Sequence, residues 1–203
     1  MVRRRCSAPT GHGSRRAWLG AHAVNTALSI FAGIALAAAA GFRAFVPLLA
    51  AGLAIHFDLV DAAPGFAWLG EPVALAALAA ATLIEVIGYF VPGVDHALDV
   101  IAAPVALIAG ITVAASVMVG LPDWLRWLAA IVAGGAATTA TYSLTSLGRL
   151  KSTAVSGGLA NPVYAGGELA GSALLAALAL LVPVIALIAV AALVLLLIRR
   201  RRR

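Results

Sequence analysis

The chain alternates long uncharged apolar runs, rich in Ala and Leu, with short clusters of Gly, Pro and acidic residues. Strands of a membrane barrel would alternate apolar and polar residues with period two. These runs do not, so the pattern predicts helices. The first run, Val24 to Phe57, covers 34 residues. As one helix at ~1.5 Å per residue it would reach about 50 Å, too long for a simple crossing of a ~30 Å hydrocarbon layer. Gly41 and Pro47 can break it into a helix, an interruption around Arg43 and a second helix or half-helix. The run is counted as one crossing.

Asp58 to Glu71 reads as a loop, with the turn signal Pro64-Gly65 and Trp68 suited to an interface. Pro72 opens a second segment that runs to about Val91, where Pro92-Gly93 ends it and Asp95 can cap the next helix. A third segment covers roughly Val100 to Gly120. A turn with Trp124 and Trp127 as interface anchors leads to a fourth, from about Leu125 to Leu147. Ser152 to Gly167 is short and interrupted at Gly157-Gly158 and Asn161-Pro162, and the last run, Leu169 to Ile198, is uncharged and contains Pro183. The expectation is an all-α, polytopic membrane helix bundle with five or six crossings, its helices broken near Gly41–Pro47 and Gly157–Pro162. A basic cytoplasmic tail (1–23) precedes a single transmembrane domain (24–198) and a basic C-terminal tail (199–203).

Composition strengthens this picture. The chain is 63% hydrophobic and 11% charged, against ~25% charged in a typical soluble domain. Too few charges remain to cover a water-facing surface. The net charge of +6 belongs to the ends: Arg3, Arg4, Arg5, Arg15 and Arg16 open the chain and Arg199 to Arg203 close it. Between them lie all eight acidic residues and only Arg43, Arg126, Arg149 and Lys151. The terminal arginines therefore read as anchors on anionic lipid headgroups rather than a nucleic-acid surface. Ser14-Arg15-Arg16 before an apolar stretch loosely matches a twin-arginine export signal; a retained first helix explains the same residues more simply. A single cysteine, Cys6, permits no internal disulfide. The lipid bilayer is the expected partner, and assembly as a homo-oligomer is compatible with the sequence.

Charges placed among apolar neighbours carry the functional signal, because a mid-bilayer charge costs ~2.5–3.5 kcal/mol on insertion scales. Arg43, in GFRAFVP, reads as a guanidinium aimed at an anion, or as the partner of an acid inside the bundle. Glu85 reads as a proton or cation site, or as that partner. Asp95, His96 and Asp99 share a broad helix face, which suits a proton relay or a divalent metal as well as a hydrated, capped turn. No second ligand cluster accompanies them, so a metal is left open. Asn161 and Glu168 flank the Gly157/Gly158/Pro162 break, a weak echo of Gly41/Pro47; Pro92 marks a third break. Paired broken segments point to a transporter's central site, and glycines also permit close helix packing. Thr138, Thr141 and Thr145 share one helix side and either line a polar path or bond to nearby carbonyls. No Ser/His/Asp or Cys/His arrangement, phosphate-cradling loop or HExxH motif is present, and no cofactor is expected.

From about Ala27 to Arg203 the chain resembles the bacterial membrane family catalogued as domain of unknown function 4126. GFRAFVPLL (41–49), the Glu85 helix leading into VPGVDHALD (91–99), and STAVSGGLANP (152–162) carry the resemblance, followed by a Glu and a long apolar tail. It implies a compact multi-helix protein of the inner membrane and no activity.

Three readings follow. A small transporter or channel would use Arg43, Glu85, Asp95, His96, Asp99, Asn161 and Glu168 around a central polar site for an ion or small anionic solute. A non-catalytic scaffold or partner subunit would use the same charges to fix helix register. An enzyme acting on a lipid or isoprenoid phosphate is the third and least favoured.

Overall fold

The computed structural model describes the backbone of residues 12–88, 94–157 and 160–201; side chains are described from 23 onward within these ranges, except 94–100, 193, 194 and 196–201. In chain order the helices are α1 (His12–Ala40), α2 (Phe45–His56), α3 (Pro72–Gly88), α4 (Val94–Val117), α5 (Asp123–Ala129), α6 (Gly135–Ser156), α7 (Asn161–Leu181) and α8 (Pro183–Arg201). A π-helical turn, Ala130–Gly134, joins α5 to α6 in one rod, and a 3-10 turn spans Ala67–Gly70. No strand occurs among the described residues. The all-α expectation holds.

Helix α1 is the centre of the molecule and packs against α4, α6, α7 and α8. Its sequence explains why. Ala35 to Ala40 are all at or near zero exposure, and side chains this small let neighbouring backbones approach closely. Glycines on the partner helices extend the same device: a Cβ at Gly134 would press on Ala114 at 3.0 Å, and one at Gly110 would collide with Thr138. Large aliphatic residues lie mostly on the outside, among them Val73, Ile84, Ile108, Val132, Val155 and Val163. The buried set instead includes Arg43, Arg126, Arg149, Glu168, Ser172 and three threonines. A mainly small, apolar core thus encloses several polar groups while many bulky apolar residues are exposed, a combination unusual in a water-soluble domain.

The first apolar run is not one straight helix. Ser29 Oγ in α1 accepts from Val119 N–H at 3.2 Å, just beyond the end of α4, and Ala63 N–H donates to Ser116 O at 2.8 Å. Residue 29 and the loop after α2 therefore share one end of the bundle. Glu85, near the far end of α3, reaches Ala44 and Phe45. The chain enters along α1, reverses at Gly41–Ala44 and returns along α2. The expected interruption around Arg43 is thus a full reversal between two helices. The physical reason is Gly41: a Cβ there would sit 2.6 Å from Thr138 O and from Thr141 Cβ, so only glycine lets the end of α1 lie against α6.

Pro47 and Pro162 open helices instead of interrupting them, while Pro104 lies inside α4. Pro47 occupies the first turn of α2 and Pro162 that of α7, where a missing N–H costs nothing. Ser152–Ser156 continues α6, which ends at Gly157 with φ +61, the left-handed conformation glycine adopts without strain. The last apolar run is divided at Val182-Pro183 into α7 and α8, with Ala186 N–H reaching back to Val182 O at 3.2 Å. Pro92 and Gly158 lie outside the described residues. At the entry end, Arg126 is 3% exposed. It pairs with Asp123 at 2.9 Å, donates to Pro64 O at 3.2 Å and lies 5.9 Å from the centre of the Phe66 ring, so it ties the loop after α2 to α5.

Among the described residues, two helices are long and apolar enough to cross a membrane: Ala23–Ala40 within α1, and α7. Phe45–His56, Pro72–Gly88, Ile101–Val117 and Pro183–Ala192 are shorter apolar helices.

Gly41→Ala should lower stability by about 1–3 kcal/mol, the usual cost of overpacking. Gly166→Ala, where a Cβ meets nothing within 4 Å, should be neutral or slightly stabilising. Thermal unfolding of the two purified variants checks the contrast; equal shifts would remove the close α1–α6 approach as the reason for the glycine.

Candidate functional site

A helix reversal leaves the last carbonyls of one helix and the first amides of the next without intrahelical partners. Here side chains from three other helices supply them. Thr138 Oγ1 donates to Ala37 O at 2.7 Å, Ser172 Oγ to Ala39 O at 3.0 Å and Thr145 Oγ1 to Gly41 O at 3.5 Å. On the other side of the break, Glu85 Oε1 accepts from Ala44 N–H at 2.9 Å and Oε2 from Phe45 N–H at 3.2 Å. A carboxylate from α3 thus caps α2, where Ala44 makes no side-chain cap of its own. The first-turn amides and the helix dipole both favour a negative charge at that point.

Arg43 stands inside the reversal at 1% exposure. Its Nη2 donates to Ala165 O at 3.1 Å and lies 3.5 Å from Glu168 Oε2. Glu168 Oε1 accepts from Arg149 Nε at 3.0 Å. One buried carboxylate therefore bridges two guanidiniums contributed by the reversal and by α6. The spacing on each helix produces this: Thr138, Thr141, Thr145 and Arg149 follow one face of α6, and Ala165, Glu168 and Ser172 one face of α7.

Two cavities flank the cluster. The first, about 300 Å³, is bounded by the reversal, α3, α4 and α6, and its polar or charged lining comes from Glu85, Arg149 and Tyr142. The second, about 440 Å³, lies between α6 and α7 and includes Thr141, Thr145, Tyr164 and Glu168. Phe42 lines both. The Arg149–Glu168 pair joins a wall of one cavity to a wall of the other.

Of the candidates from sequence, Arg43, Glu85 and Glu168 meet at the reversal. Asn161 stands apart as the first residue of α7, where its Oδ1 accepts from Thr153 Oγ1 at 3.2 Å, and it lines neither cavity. Gly41 forms part of the first cavity, and Pro47 is buried in the first turn of α2. Asp95, His96 and Asp99 belong to the start of α4, but their side chains lie outside the described residues. Among the described residues no group of three His, Cys, Asp or Glu side chains is placed to hold a metal. Two members were not singled out from sequence. Arg149 continues the threonine stripe one turn beyond Thr145. Ser172 lies one turn beyond Glu168 on the same face. The hydroxyls of the stripe bond to carbonyls, and Thr141 and Thr145 also line the second cavity.

Fold and site together define an all-helical bundle organised around charge buried at an internal helix reversal. Over residues 30–203 the chain matches the family described as Domain of unknown function (DUF4126), and it belongs to that family. No curated protein and no solved structure matches the chain.

Removing Glu168 takes away a carboxylate that two buried guanidiniums share, whereas removing Arg149 leaves Glu168 with Arg43. Glu168→Gln should therefore cost about 3–5 kcal/mol, in the range for breaking a buried ion pair, and Arg149→Met clearly less. Denaturant unfolding of both variants tests the order, and a larger loss for Arg149→Met would contradict the bridging role of Glu168.

Proposed function

We propose that this protein is a polytopic membrane protein, a small transporter or channel for an ion or small anionic solute. The bulky apolar residues on the outside of an Ala-, Thr- and Arg-containing interior support the membrane part. Taking α3, α4, the α5–α6 rod, α7 and α8 as crossings gives five, with α1 and α2 entering and leaving on one side. The bacterial inner membrane is the proposed location, and the arginine-rich ends meet anionic headgroups there.

The observation that carries the transport reading is the Arg43–Glu168–Arg149 cluster, buried at the reversal with a cavity on either side. Broken backbone within a membrane is tolerated where it is enclosed by protein or lines a cavity, and transporters place substrate at such breaks. The scaffold reading accounts for the ion pairs as register devices and leaves the cavities without a role.

The protein should resist alkaline carbonate extraction from membranes. In vesicles, it should release at least one of chloride, acetate, phosphate or dodecyl sulfonate faster than protein-free controls, and Arg43→Gln, with its folded state verified by gel filtration, should abolish that release. Release of none of the four, or release indifferent to Arg43→Gln, would overturn the transport reading.

A further inference from the structure

Several helix glycines are explained by a neighbour. A Cβ at Gly110 would collide with Thr138, and one at Gly148 with the ring of Tyr164. Gly167 differs, because a Cβ there would meet nothing within 4 Å. Glycine inside a helix costs ~0.5–1 kcal/mol relative to alanine, and no close packing on α7 offsets that cost at this position. Gly167 lines the second cavity, so its missing side chain adds to that space. The cavity, about 440 Å³, falls within the ~300–1,000 Å³ of sites that hold organic molecules. Gly167 and Tyr164 are both exposed as well as lining it, so the space is continuous with the outer surface along α7.

Hydrogen bonding decides what these walls suit. Thr141 Oγ1 donates to Ala137 O at 2.6 Å, and Thr145 Oγ1 to Tyr142 O at 3.0 Å and Gly41 O at 3.5 Å. With their protons committed to carbonyls, the two oxygens can only accept from a ligand. Glu168 is engaged by Arg43 and Arg149. The Tyr164 hydroxyl, lying against Gly148, has no hydrogen-bond partner among the described residues, and it can donate or accept. Phe42, Leu144 and Val163 supply apolar wall. An alcohol matches this set: its proton goes to a threonine oxygen and its own oxygen accepts from Tyr164. None of the three hydroxyls is charged, so the match is to a neutral group and not to an ion.

We propose that the second cavity binds a neutral, lipid-soluble alcohol, its hydroxyl among Thr141, Thr145 and Tyr164 and its hydrocarbon body along Phe42, Leu144, Val163 and the bare backbone at Gly167. This goes beyond the transport reading, since it needs neither charge on the ligand nor passage of a solute. Delivery of the alcohol from lipid rests on the membrane reading above.

The test uses dodecanol carrying a diazirine on the chain, with the full-length protein in nanodiscs and mass-spectrometric mapping of the labelled peptides. Labelling at Leu144, Val163 and Tyr164 should saturate. Dodecanol should compete. Dodecyl methyl ether, which cannot donate a hydrogen bond, should need at least tenfold more, and dodecyl sulfonate should not compete. Gly167→Leu, with its folded state verified by gel filtration, fills the space and should reduce the labelling at least fivefold, while Leu174→Trp on the exposed face of α7 should leave it unchanged. Labelling that never saturates, spreads over all exposed apolar positions, is displaced equally by alcohol and ether, or ignores Gly167→Leu would overturn the inference. The two proposals fail separately. Anion release lost in Arg43→Gln, with no saturable labelling, removes the alcohol and keeps the transporter. Saturable labelling with no release of any anion removes the transporter and keeps the binding site.

Discussion

Peptide groups without partners in a low-dielectric interior are the constraint on which this structure turns. Reversing a chain between α1 and α2 exposes carbonyls on one side and amides on the other, and each costs several kcal/mol if left unbonded away from water. The fold meets that cost from every neighbouring element. Two hydroxyls of α6 and one of α7 take the carbonyls, and a carboxylate of α3 takes the amides. Glycine at 41 permits the approach that makes these bonds possible. Helices α6 and α7, which supply these hydroxyls, pack on α1 beside α4 and α8.

Arg43 follows from the same geometry. Positioned in the reversal, it points into the bundle, and a buried guanidinium needs both hydrogen bonds and an opposite charge. Ala165 O supplies one and Glu168 the other. Glu168 in turn holds Arg149, so the reversal, α6 and α7 are joined through one carboxylate. Such a network fixes the relative positions of three elements more than it stabilises them, because desolvation offsets much of the Coulombic gain. Its position, with a cavity on each side, is what gives it a functional meaning under the reading proposed here.

The sequence made parts of this legible. Long uncharged runs declared the helices, and the isolation of Arg43, Glu85 and Glu168 in such runs marked the residues that meet. Gly41 was readable as a break. What the sequence did not disclose was direction: a glycine near an arginine permits either a kink or a full reversal, and the bonds that decide between them come from residues at least 40 positions away. Pro47 misled for a related reason, since a proline signals the start of a helix as readily as the end of one. Arg149 was not singled out, although the three- and four-residue spacing back to Thr145, Thr141 and Thr138 places it on the inner face.

The direct measurement is the distance between spin labels at Val24 and Leu59, both exposed, with Cys6 replaced. One helix over those residues would hold the labels about 50 Å apart at ~1.5 Å per residue. The reversal at Gly41–Ala44 brings both to one end of the bundle, so the account predicts less than about half that separation, and a Val24–Val155 distance clearly longer than it. A Val24–Leu59 distance near the extended value would mean that the chain runs straight through, and the site built on its return would not exist.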